Sequence, residues 1–131
     1  MTPIESVSET MILLMKSTGR FVCRRIPNKA HQDIYVKTMK RCIAAVETDF
    51  NNYEVFLSHI ESIDQDVDTS FKPRLFNKFS QEREYYHMAC HHALDIVTKL
   101  NARFITGMAD TEPRYYKGTG FYVPKDEGAF E

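Results

Sequence analysis

The chain lacks tryptophan, has three cysteines in 131 residues, and places four of its five glycines after position 106. Cys23, Cys42 and Cys90 are odd in number, far apart and outside any C-x-x-C unit. That spacing excludes a disulfide framework and suits reduced thiols packed as small core residues. No apolar run approaches the ~20 residues a membrane-spanning helix needs. The first residues carry Glu5 and Glu9 where a secretory leader would carry basic ones. These absences lead to the expectation of a soluble, cytoplasmic chain. No nucleophile stands beside a base with an orienting third group, and Gly118-Thr119-Gly120 is too short for a phosphate loop. Internal repeats and low-complexity tracts are also missing.

What is present is a globular composition, 43% hydrophobic with nine Phe and seven Tyr, and a sharp sorting of charge. The totals nearly balance, 17 basic against 18 acidic residues. Locally they do not: Arg20 to Arg41 holds seven basic residues and one acid, whereas Cys42 to Phe71 holds seven acids and no Lys or Arg. Such neighbours either present a surface to a partner or neutralise each other.

Apolar spacing gives four helices. Thr2 as cap, Pro3 in the first turn and Glu5 three residues after the cap start a helix over about Pro3–Thr18, with Gly19 as its stop. Arg20–Pro27 then reads as a short strand or extended link, because Pro27 biases Ile26 away from helical geometry. Asn28 caps a second helix running to about Asp49, with Tyr35, Met39, Cys42, Ile43 and Val46 as its inner face. Asn51-Asn52 is a turn, after which Tyr53, Phe56, Leu57, Ile60 and Ile63 trace a third helix antiparallel to the second. A long helical pattern covers Arg74–Thr106, with Ser80 as a potential break. The expected architecture is all-α: a single-domain bundle of about four main helices over residues 1–107, followed by an irregular or hairpin C-terminal arm over 108–131.

Three functional readings result. The first is a non-catalytic adaptor, regulator or inhibitor, with no cofactor, that binds a protein partner or forms a homo-oligomer. Its contact residues would be the basic Arg20, Arg24, Arg25, Lys29, Lys37, Lys40 and Arg41, the acidic Asp64, Asp66 and Asp68, and Tyr115 and Tyr116 of the aromatic arm. The second is a metal-dependent bundle enzyme. Glu84, His87, His91 and Asp95 are spaced three, four and four apart, so they form one column of imidazole and carboxylate donors along the long helix. One helix cannot close such a site, so His59, Glu61 or His31 would have to complete it; with a single helix supplying ligands, no tightly bound metal is expected. Only one Glu-x-x-His unit is present, which excludes the di-iron bundle pattern. The third reading, nucleic-acid binding through 20–41, is disfavoured by a pI near 6.5. Asp64, Asp66 and Asp68 also imitate the start of a calcium loop, but Thr69 and Leu75 stand where Gly and Glu belong.

Overall fold

The computed structural model describes the backbone of residues 3–66, 76–105, 115–116 and 121–122, and side chains over 5–66 and 81–102. The described residues form a bundle of four helices: α1 (Pro3–Cys23), α2 (Lys29–Thr48), α3 (Tyr53–Gln65) and α4 (Phe76–Ile105). A two-strand antiparallel pair follows, β1 (Tyr115–Tyr116) with β2 (Phe121–Tyr122), in the register Tyr115 to Tyr122 and Tyr116 to Phe121. The pair lies within the span 108–131 that the sequence leaves as an irregular or hairpin arm. Thr2, Asp68, Thr69 and Leu75, and the side chains of Tyr115 and Tyr116, lie outside the described residues. Among the described residues, no helix is long and apolar enough to cross a membrane.

The starts of α2 and α3 have local causes. Asn28 has extended backbone geometry and its side chain accepts from the His31 amide at 3.1 Å. Asn52 does the same for the Val55 amide at 3.3 Å. Both satisfy an amide that the first turn leaves without an intrahelical partner. The α1–α2 link is closed by Gln32 Nε2, which donates to the Ile26 carbonyl at 2.7 Å. Ser8 Oγ donates to the Phe50 carbonyl at 2.6 Å, fastening α1 to the α2–α3 turn.

Two expectations are corrected. Gly19 does not stop α1, which continues to Cys23 and takes in the first half of the expected link, leaving a turn at Arg24-Arg25 and a non-helical step through Ile26 and Pro27. Gly19 is itself buried, so its missing side chain serves packing, and burial of its surroundings outweighs the ~1 kcal/mol helix penalty of glycine. Nor is α4 broken at Ser80: it runs 30 residues, about 45 Å, and packs against α1, α2 and α3. Their shared core includes Met11, Leu14 and Met15 of α1, Tyr35 and Met39 of α2, Phe56 and Ile60 of α3, and Cys90, Val97 and Leu100 of α4.

Candidate functional site

On α3 the buried residues are Phe56, Ile60 and Ile63. Asp64 lies one helical turn beyond Ile60, on the flank of that apolar stripe, and its half-buried carboxylate turns toward α4. On α4 the buried row of Tyr86, Ala89, Cys90 and Ala93 leaves His87 and His91 on the corresponding flank, four residues and one turn apart. The two flanks meet. His87 Nδ1 is 2.7 Å from Asp64 Oδ1, a hydrogen bond in which the imidazole N–H donates and the carboxylate accepts. His91 Nε2 is 3.3 Å from Asp64 Oδ2, and the two imidazole centroids are 5.7 Å apart. One donor atom from each residue falls within a group no wider than 4.8 Å.

This differs from the expected column in a way helix geometry explains. Asp64 projects from one point on α3 and reaches about one turn of α4. Glu84 and Asp95 sit further along α4 to either side and are exposed. Asp95 is engaged by Lys99 at 3.2 Å within the helix. Among the described residues, neither belongs to the group that His87, His91 and Asp64 form. His59 and Glu61 are exposed, and His31 stacks on Tyr85 at 4.8 Å. Asp64 is the donor the linear sequence concealed. In the alternating run Asp64, Asp66, Asp68 it resembles a linker acid, yet two residues of helix turn the chain by ~200°, so Asp64 and Asp66 face different ways. Asp64 stands inside the last turn of α3 and Asp66 caps it.

Neighbouring polar pairs have other duties. His92 Nδ1 and the Tyr35 hydroxyl share a hydrogen bond of 2.8 Å, with Tyr35 fully buried. Burial lowers the pKa of His92, favouring its neutral imidazole. Burial likewise raises that of the Tyr35 hydroxyl. Cys42 and Cys90 are buried thiols on α2 and α4. Their mutual hydrogen bond, then burial, raises the pKa of the Cys42 thiol well above its ordinary range. Arg41 donates to the Tyr86 hydroxyl across the α2–α4 seam.

Of the proposed surface residues, Arg24, Arg25, Lys29, Lys37, Lys40 and Arg41 are exposed. Arg25 lies over the Phe21 ring at 3.6 Å, and Lys29 pairs with Asp33 at 3.1 Å. Arg20 is corrected: only 5% of it is exposed, because the extension of α1 beyond Gly19 carries it inward, one turn after the buried Ser17. Asp64 turns to the α4 imidazoles, and Asp66 remains exposed. No family model, curated protein or solved structure matches this chain.

Proposed function

We propose that this protein is a helical-bundle metal-binding protein that holds one divalent transition-metal ion through Asp64, His87 and His91. The observation that carries this reading is the convergence of two imidazoles and one carboxylate from two helices within 4.8 Å. Bonds of about 2.0–2.2 Å to a tetrahedral or octahedral ion set neighbouring donors roughly 3.0–3.4 Å apart. The 3.3 Å between His91 Nε2 and Asp64 Oδ2 lies in that range, the 2.7 Å between His87 Nδ1 and Asp64 Oδ1 has to open by under an ångström, and the widest separation in the group, up to 4.8 Å, has to close by more than one. Two nitrogens and one carboxylate oxygen suit zinc, iron or manganese better than calcium or magnesium. His91 is 62% exposed, so three protein donors leave positions for water. That is the arrangement of catalytic zinc sites, in which the ion polarises a bound oxygen. Free buried thiols suit a reducing compartment such as the cytoplasm.

The test begins with chelator-treated protein titrated with Zn²⁺ by calorimetry and with Co²⁺ by visible absorption. One equivalent should bind. His87→Ala combined with His91→Ala should weaken it by more than about 100-fold, since loss of groups that merely orient ligands already costs 10–100-fold. Absence of stoichiometric binding, or binding indifferent to the double variant, overturns the reading.

A second reading is supported by the six exposed basic side chains at the end of α1 and along α2: a docking surface for an acidic protein partner, a second copy of the chain included. Arg24→Glu with Arg25→Glu should leave the melting temperature within a few degrees of wild type and weaken salt-sensitive self-association in sedimentation velocity. An unfolded variant, or association that ignores both charge and salt, removes this reading.

A further inference from the structure

The helices treat the charge at their ends differently. A helix carries partial positive charge at its N-terminus and partial negative charge at its C-terminus, so acids belong in the first turn and bases in the last. α1 obeys, with Glu5 in its first turn and Arg20 in its last. Neither α2 nor α3 has a basic residue in its last turn: α2 has Glu47 there and Asp49 as its cap, and α3, which obeys at its start with Glu54, carries Asp64 there and Asp66 as its cap. With Glu61 one turn earlier, three carboxylates gather around the negative end of a helix. The two ends differ in what faces them: at α3 the breach lies where Asp64 meets the imidazoles of His87 and His91 on a neighbouring helix.

α3 is also the helix with the least to hold it. At 13 residues it is the shortest of the described helices, and it has three buried residues where α2 has seven. Helices of this length are marginal alone and depend on tertiary anchoring. Weakly anchored elements open locally at lower free energy than the whole domain.

Building on the metal-binding reading, we infer that the ion at Asp64, His87 and His91 is a clasp that supplies the missing cation at the C-terminus of α3 and locks that helix onto α4. Metal loading then acts on one element above all: it controls how often α3 detaches. The ion neutralises the terminal carboxylates, complements the helix dipole, and joins α3 to the longest helix of the bundle through bonds that must break before α3 can leave.

Amide hydrogen exchange of the full chain, with chelator and then with saturating Zn²⁺, tests this. With free Zn²⁺ about 100 times its dissociation constant, openings that break the site are suppressed roughly 100-fold. The amides of the second half of α3 should therefore slow by up to that factor, while those in the first turn of α2, which fray without disturbing the site, keep their rates. His91→Ala, at an exposed position that folding tolerates, should abolish the slowing. If Zn²⁺ binds stoichiometrically yet α3 exchanges as before, or slows no more than the first turn of α2, the clasp is refuted and the metal site stands. If α3 is still protected in His91→Ala, the clasp is again refuted. If no Zn²⁺ binds at all, clasp and site fall together.

Discussion

Val55, Phe56 and Leu57 are three consecutive apolar residues whose fates in α3 differ, and alanine substitution at each one reads the rotation of that helix. Phe56 is fully buried between α2 and α4, Leu57 is half-buried, and Val55 is 43% exposed. Removing the Phe56 ring loses its transfer free energy and leaves a cavity, which for Phe→Ala costs about 3–5 kcal/mol. Val55→Ala removes methyl groups already in water and should stay within about 0.5 kcal/mol. Leu57→Ala keeps part of its neighbourhood wet and should fall between, at about 1–2 kcal/mol, below the full range for buried leucine. For a chain of this size the Phe56 change lowers the melting temperature by roughly 10–20 °C. It moves a urea midpoint by roughly 2 M if the slope is about 2 kcal/mol per molar. Urea unfolding followed by far-ultraviolet circular dichroism, on all three variants under one buffer, gives the ranking. If Val55→Ala costs as much as Phe56→Ala, α3 is turned by ~100° from the orientation described, and Asp64 no longer faces His87 and His91.

Asn28→Ala should destabilise by about 0.5–2 kcal/mol because it strips the cap from the His31 amide, whereas Asn28→Asp should be nearly neutral; thermal melts of the two decide it. The protein should also lose stability in alkali. Tyr35 and Cys42 both ionise at higher pH when folded than when unfolded. Their contribution is thus complete below the unfolded values of about 8.5 for a thiol and about 10 for a phenol, and declines as pH rises past them. A melting temperature that stays level from pH 8 to 11, or a Tyr35→Phe variant that declines as steeply as wild type, contradicts that assignment.

The parts of the fold that were readable from sequence are those fixed by local chemistry. The caps at Asn28 and Asn52 need only a side chain reaching an amide three residues on, and the inner rows of α2, α3 and α4 need only apolar steps of three and four. Gly19 misled because a glycine at a helix end and a glycine buried within a helix look alike until the neighbouring helices are in place. Ser80 misled for the related reason that a cap becomes useful only if packing permits a break. At the candidate site, His87 and His91 were legible from their spacing on one helix. Asp64 was hidden, because its relation to them depends on how α3 is rotated and on where the α2–α3 turn sets its height against α4. Arg20 shows the same limit: its charge placed it on the surface, and the longer α1 carried it inside.

The 30-residue α4 has a consequence for how the protein is made. It follows α1, α2 and α3 in the chain and packs against every one of them, so the three earlier helices emerge from the ribosome before the element that covers their inner faces exists. At about 5–20 residues per second, synthesis of the roughly 40 residues from the end of α3 to the end of α4 takes some 2–8 s. During that interval Met11, Leu14, Tyr35, Met39, Phe56 and Ile60 have only each other to pack against. A nascent chain stalled before α4 is therefore a sticky, half-built bundle suited to capture by a chaperone, and cooperative folding begins only when the last helix arrives.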